Sequence, residues 1–149
     1  MIKEIFETLK SHSCKIIFPD DVLIGKNLDG EPQIKKLNNI QDNDIILDIG
    51  PKTLDKIKSI IENSETVLWN GPAGYFENPN FANGSYNIAK AITKKNKNNS
   101  IYSVVGGGDT IALINKIKLI ENFNFVSTAG GAFLEYLEGK ELPGIKALN

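Results

Sequence analysis

Short apolar runs alternate with helical segments along the 149 residues of the chain. Runs typical of buried strands are found at residues 15–18, 66–69, 101–105 and 125–126. Apolar side chains recur at helical spacing over residues 2–10, 53–63, 85–95, 111–119 and 132–138. Because the strand-like runs lack polar alternation, they predict strands that are buried on both faces.

This order of elements predicts an α/β fold. Strands that alternate with helices favour a parallel sheet built by right-handed crossovers and covered by helices, which gives a Rossmann-like three-layer α/β/α architecture. Residues 21–24 and 44–47 are two further candidates for short strands, without a defined place in the sheet. No internal repeat or linker divides the chain, so we expect one domain.

Composition excludes several classes of function. The formal net charge is −1, and the lysines are spread along the chain, so nucleic acid is not an expected partner. No apolar run reaches the ~18 residues of a membrane span, and the acidic start does not resemble a signal peptide, which favours a cytoplasmic protein without a membrane partner. A single His12 and a single Cys14 exclude an internal disulfide and a Cys/His zinc cluster.

Three glycine-rich loops follow three of the predicted strands. We call residues 70–77 (NGPAGYFE) loop A, residues 106–110 (GGGDT) loop B and residues 127–132 (STAGGA) loop C. In a parallel sheet, the carboxyl ends of the strands meet at one edge, where the next helix begins with unpaired amides and a partial positive charge. Glycine lets a phosphate approach this backbone closely, so the three loops together predict a nucleotide-phosphate site.

Each loop by itself also has a purely structural interpretation. Glycines allow a tight corner, and Asp109 has a residue type that caps helices. Neither the lysine of a Walker A motif nor the GxGxxG fingerprint is present, so the prediction depends on the three loops occurring together. Asp48 and Lys52 in DIGPKT stay open between a structural and a functional role, because Pro51 suits the first turn of a helix for local reasons.

Five motifs give the chain a resemblance to phosphoglycerate kinases. They are DIGPKT at residues 48–53, LWNGPAGYFE at 68–77, GGGDT at 106–110, STAGGA at 127–132 and LEGKELPGI at 137–145. Their order and spacing match the nucleotide domain of that family from about residue 15 to residue 148, whereas the opening helix agrees only in type. The resemblance implies strands 3 to 6 of a sheet ordered 3-2-1-4-5-6, with residues 15–18 as strand 3 and the runs at 66–69, 101–105 and 125–126 as strands 4, 5 and 6.

The resemblance also implies roles for individual residues. Asn70, Pro72, Gly74 and Tyr75 would line the nucleotide, Glu77 would hold the ribose, and Gly106, Gly107, Gly108 and Thr110 would meet the phosphates. Gly107, Gly130 and Gly131 would support the phosphoryl group during transfer, and Asp109 would bind Mg²⁺. The reaction implied is phosphoryl exchange between 1,3-bisphosphoglycerate and ADP, which gives 3-phosphoglycerate and ATP.

Other parts of the family pattern are missing from the sequence. Neither the amino-terminal domain that binds phosphoglycerate nor strands 1 and 2 has a counterpart here, and the chain contains lysine but no arginine. We therefore expect a carboxy-terminal piece of the nucleotide domain from a family that is usually monomeric, with an exposed edge at strand 4 and no kinase activity alone. The alternatives are a non-catalytic ADP/ATP-binding module and a decayed remnant of the gene.

Overall fold

The computed structural model describes residues 2–148 and contains helices and strands in alternation. The helices are α1 (Ile2–Ser11), α2 (Pro51–Glu62), α3 (Asn83–Asn96), α4 (Gly108–Lys116), α5 (Gly131–Leu137) and α6 (Pro143–Lys146). The strands are β1 (Asp21–Gly25), β2 (Gln33–Lys36), β3 (Ile45–Ile49), β4 (Thr66–Asn70), β5 (Tyr102–Gly106) and β6 (Phe125–Ser127). The five predicted helices and the last three predicted strands are confirmed, with bounds that differ by a few residues.

A parallel sheet with the order β4-β5-β6 forms the centre of the fold. Helix α3 joins β4 to β5, and α4 joins β5 to β6. This arrangement confirms the predicted α/β class and the predicted order of the last three strands.

One face of the parallel sheet carries the main core. Trp69 and Val105 of the sheet belong to the same buried cluster as Ile92 of α3 and Leu113 and Ile114 of α4. A fully buried side chain of this size stabilises the fold by about 2 kcal/mol relative to an exposed one. The helical spacing of the apolar residues in α3 and α4 thus directs these helices onto the sheet.

The opposite face of the parallel sheet is only partly covered. Leu68, Tyr102 and Phe125 are 45%, 52% and 50% exposed. Helix α5 approaches this face near the carboxyl end of β5, where a Cβ atom at Gly106 would lie 2.9 Å from the Phe133 ring. The three-layer arrangement is therefore present, but the prediction of burial on both faces is wrong for these residues because α5 covers only one end.

The candidate strands at residues 21–24 and 44–47 form a separate antiparallel sheet with the order β2-β1-β3. Strand β2 was not predicted, since its sequence QIKK has one apolar side chain, Ile34, which is 62% exposed. The inner strand β1 is mostly buried, and Val22 and Ile24 are its buried apolar residues.

The predicted strand at residues 15–18 is wrong. The structure assigns no strand to these residues, and Ile16, Ile17 and Phe18 are all exposed. An apolar run becomes a strand only when another strand pairs with its backbone, and none of the strands between residues 2 and 148 does so. Phe18 instead stacks on Phe6 of α1, with 6.5 Å between the ring centroids.

A buried carboxylate of β1 holds the start of α2. Asp21 is 3% exposed and accepts hydrogen bonds from the amides of Lys52 at 3.1 Å and Thr53 at 2.9 Å. These are unpaired amides of the first helical turn, which begins at Pro51.

Within residues 2–148, no helix has both the length and the apolar character needed to cross a membrane.

Candidate functional site

Strand register brings the three glycine-rich loops to one edge of the parallel sheet. Asn70 of β4 pairs with Gly106 of β5, and Gly106 pairs with Ser127 of β6. Loops A, B and C therefore begin side by side at the carboxyl ends of their strands. The predicted meeting of the loops at one edge is confirmed.

Loop A is held from below by the antiparallel sheet and by α3. The amide of Tyr75 donates to the carbonyl oxygen of Leu47 in β3 at 2.7 Å, and the amide of Ala73 donates to the Ser85 hydroxyl in α3 at 2.8 Å. Among the predicted nucleotide contacts, Asn70 and Glu77 are exposed, whereas Pro72, Gly74 and Tyr75 are half-buried. The loop thus presents an amide and a carboxylate on a fixed backbone.

Loop B passes directly from β5 into α4. Gly107 has φ of +87°, and a Cβ atom there would lie 2.6 Å from Oδ1 of Asn70. Both the conformation and the space therefore require glycine. Gly108, Asp109 and Thr110 form the first turn of α4, where amides have no partner within the helix. These amides and the helix dipole suit an anion.

Thr110 is the link between loops A and B. Its side chain is completely buried, and its hydroxyl accepts a hydrogen bond from the amide of Gly71 at 2.8 Å. The side chain is therefore part of the support beneath the site, while the role of Thr110 in phosphate contact stays a prediction. Nothing in the spacing of the sequence signals this link.

Loop C is the most exposed of the three loops. Gly130 has φ of +58°, and Gly131 begins α5, a helix of 7 residues. Both glycines are exposed, and a Cβ atom at either would meet nothing within 4 Å. This leaves open space beside loop B at the sheet edge.

The predicted metal ligand Asp109 is exposed at the start of α4. Among the residues that the structure describes, no group of three or more His, Cys, Asp or Glu side chains could hold a metal ion. A single carboxylate beside a phosphate site still fits Mg²⁺, which keeps several waters and takes its other ligands from substrate phosphates.

The DIGPKT segment divides into two roles. Thr53 packs its amide and hydroxyl against Asp21, and the exposed Lys52 contributes its amide to the same contact. Because any residue other than proline supplies such an amide, the role of the Lys52 side chain stays open. Asp48, in contrast, is 1% exposed and points its carboxylate toward loop A and the start of α3.

Comparison with known proteins gives the family. The model of the phosphoglycerate kinase family matches residues 1–140. The chain belongs to the phosphoglycerate kinase family. The resemblance carried by the five motifs is thereby confirmed.

Curated relatives agree over almost the whole chain. Phosphoglycerate kinase of Wolbachia pipientis from Culex pipiens is 43% identical over 149 residues, which are 99% of this chain and 38% of the relative. The enzyme of Orientia tsutsugamushi strain Ikeda is 47% identical over 147 residues, which are 97% of this chain and 36% of the relative. Since these alignments leave out at most a few residues, the similarity also extends into α1.

Solved structures share the fold. Phosphoglycerate kinase of Coxiella burnetii superimposes with a TM-score of 0.88 at 38% identity, covering 97% of this chain and 36% of that chain. The enzyme of Pyrococcus horikoshii gives a TM-score of 0.79 at 34% identity, covering 99% and 36%. The chain thus spans little more than a third of the length of the phosphoglycerate kinases that it matches.

Proposed function

We infer that this chain forms the nucleotide-binding part of a phosphoglycerate kinase. The observation that carries the proposal is the register that lines up Asn70, Gly106 and Ser127, so that three glycine-rich loops open at one sheet edge. The reaction of the complete enzyme would be phosphoryl exchange between 1,3-bisphosphoglycerate and ADP, with 3-phosphoglycerate and ATP as products.

Each loop takes one part of the nucleotide in this proposal. Loop A lines the nucleoside through Asn70, Pro72, Gly74 and Tyr75, and the exposed carboxylate of Glu77 accepts hydrogen bonds from the ribose hydroxyls. Loop B receives the phosphates on the open amides of the first turn of α4. Loop C, through Gly130 and Gly131, supports the phosphoryl group during transfer, together with Gly107 of loop B.

Asp109 is the residue that would hold Mg²⁺ with ADP or ATP. Its carboxylate lies in the first turn of α4, where the neighbouring amides favour phosphate oxygens. When bound, Mg²⁺ would neutralise charge on these oxygens. The protein's own contribution is to fix the nucleotide in position, which together with charge stabilisation supplies most of the rate in phosphoryl transfer.

We assign the binding of the second substrate, 3-phosphoglycerate, to residues outside this chain. We propose that residues 1–149 are the carboxy-terminal part of the nucleotide domain. We also propose that 3-phosphoglycerate is bound by an amino-terminal domain, which the greater length of the relatives can accommodate. A cytoplasmic location, and the monomeric state that is usual for the family, remain predictions for the complete enzyme.

Isothermal titration of the chain with Mg-ADP tests the proposal. We expect saturable binding that weakens about tenfold when Mg²⁺ is chelated or when Asp109 is replaced in Asp109→Ala, because the loss of one charge-assisted contact costs on the order of 1.5 kcal/mol. The chelation effect should be small in Asp109→Ala, because the carboxylate that would hold the ion is gone.

Asp55→Ala is the matched control for the loss of one exposed acid. The Asp55 carboxylate is 78% exposed on α2, outside the three loops, and its substitution should leave ADP affinity unchanged. Absence of ADP binding by the unaltered chain would contradict the nucleotide proposal. Turnover of ATP with 3-phosphoglycerate by this chain alone would contradict the assignment of that substrate to another domain.

A further inference from the structure

Asp48 is a buried carboxylate that the proposed reaction does not use. It lies in β3 and is 1% exposed. Burial is the largest influence on the group and raises the pKa of Asp48, although hydrogen bonds from the Gly84 and Ile49 amides oppose this effect. No ion pair joins Asp48 to a lysine or histidine among the described residues. A carboxylate in such a place costs stability, so its presence calls for a role that an apolar side chain could not perform.

One oxygen of the Asp48 carboxylate joins β3 to the start of α3, and the other accepts an amide of β3 itself. Oδ2 accepts a hydrogen bond from the amide of Gly84 at 2.8 Å, and Oδ1 accepts one from the amide of Ile49 at 2.8 Å. Gly84 belongs to the first turn of α3, the helix that follows loop A. The carboxylate therefore fixes the far end of the segment that begins with loop A.

Loop A itself lies against the same carboxylate. A Cβ atom at Gly74 would be 2.5 Å from Oδ1 of Asp48 and 2.6 Å from the carbonyl oxygen of Leu47. The next amide, that of Tyr75, donates to that same carbonyl at 2.7 Å. Only a glycine allows the loop to approach β3 this closely, so loop A packs directly against residues 47 and 48.

We propose that Asp48 is a positioning residue whose carboxylate holds loop A and the start of α3 in the arrangement that accepts the nucleoside. The proposal rests on the nucleotide-binding function inferred above. Asp48 differs from Asp21 in this respect, since Asp21 holds the start of α2, whereas the carboxylate of Asp48 lies directly beside Gly74 of loop A.

The test compares the same substitution at these two buried carboxylates. In Asp48→Asn the side chain keeps its size, but its NH₂ group must face one of the two amides that now donate to it. We expect the dissociation constant for Mg-ADP to rise about tenfold or more, measured by titration under conditions where circular dichroism shows a folded protein.

Asp21→Asn is the matched control, since Asp21 is 3% exposed in the same antiparallel sheet. It should lower the midpoint of thermal unfolding and leave the Mg-ADP dissociation constant of the folded protein within about twofold, which is smaller than the effect of one hydrogen bond. If Asp48 only stabilised the fold, its substitution would leave the Mg-ADP affinity of the folded protein unchanged. That affinity therefore distinguishes positioning from stabilisation.

A second variant approaches the same contact from α3, in case Asp48→Asn does not fold. Gly84→Ala adds a Cβ atom against Oδ1 of Asp48, outside the three loops, and should also weaken Mg-ADP binding. Gly144→Ala, where the added atom meets nothing within 4 Å, should not. Unchanged affinity in Asp48→Asn or Gly84→Ala would overturn the positioning role alone, whereas failure of the unaltered chain to bind ADP would overturn the proposed function and this role with it.

Discussion

At the scale of single residues, one hydroxyl connects the two loops proposed to hold the nucleotide. Thr110 of loop B accepts a hydrogen bond from Gly71 of loop A, and Gly71 has φ of +94°. The Thr110 side chain is completely buried, although Gly71 itself is exposed. Loops A and B are thus held at a fixed separation by a contact that lies beneath the surface of the site.

Replacing this hydroxyl by a methyl group tests the connection. Thr110→Val keeps the volume but leaves the Gly71 amide without its partner, so we expect the free energy of unfolding to fall by about 1–2 kcal/mol in urea titration. Thr93→Val is the control, because Thr93 is 4% exposed and its hydroxyl donates only to carbonyls of its own helix, Ala89 at 3.0 Å and Lys90 at 3.3 Å. Equal losses in the two variants would contradict a special role for Thr110.

The residues on the surface of the site were easier to predict than those that support it. Asp109 and the glycines of loop B follow a strand and begin a helix, and this local order is visible in the sequence. Ser85 is different, because its hydroxyl reaches an amide of loop A 12 positions away. The sequence left Asp48 undecided for the same reason, since only the tertiary fold brings Gly74 and Gly84 against it.

At the scale of elements, α2 begins where a distant strand supplies its cap. Gly50 precedes the helix and has no side chain, so the carboxylate of Asp21 in β1 accepts the amides of Lys52 and Thr53 instead. Burial acts to raise the pKa of Asp21, but hydrogen bonds from Thr53 and Lys52 outweigh it, and the pKa lies below its ordinary value. The folded protein therefore favours the ionised carboxylate.

This lowered pKa predicts how acid acts on the fold. Ionised Asp21 stabilises the folded state above the ordinary pKa of 3.8, and this contribution is lost as the pH falls toward the lower pKa of the folded protein. In Asp21→Asn, we expect about 2 kcal/mol less stability at pH 7 and a smaller further loss on acidification. Urea unfolding at pH 7 and below pH 4 measures both, and an unchanged acid dependence in the variant would refute the assignment.

The elements that were not correctly predicted share one physical cause. Residues 15–18 have the composition of a buried strand, but none of the described strands pairs with them. Strand β2 has the composition of a loop, but it pairs with β1 from Asp21↔Lys36 to Ile24↔Gln33. Strand formation depends on a partner as well as on side chains, so periodicity was sufficient for the helices and insufficient for these two segments.

At the scale of the whole molecule, the parallel sheet ends on a strand with a free side. β4 pairs with β5 and with no other strand of the described chain. Leu68 of β4 pairs with Val104 of β5, which pairs with Phe125 of β6, so the three form an apolar row across the sheet. The two outer residues of this row, Leu68 and Phe125, are about half exposed. An unpaired strand edge beside an apolar row is a surface that favours association with another chain.

A charge on this edge strand should therefore keep the isolated chain monomeric. In Leu68→Lys, we expect the concentration-dependent association of the unaltered chain to decrease in sedimentation velocity, because a lysine on an edge strand opposes pairing and shortens the apolar row. Leu28→Lys is the matched control: Leu28 is 46% exposed against 45% for Leu68, but it lies in a turn outside both sheets. If both substitutions reduced association equally, general exposure of leucine would be the cause, and if neither did, the edge of β4 would not be the surface through which the chains meet. Reduced association in Leu68→Lys alone would assign self-association to the side of the sheet that carries the start of loop A.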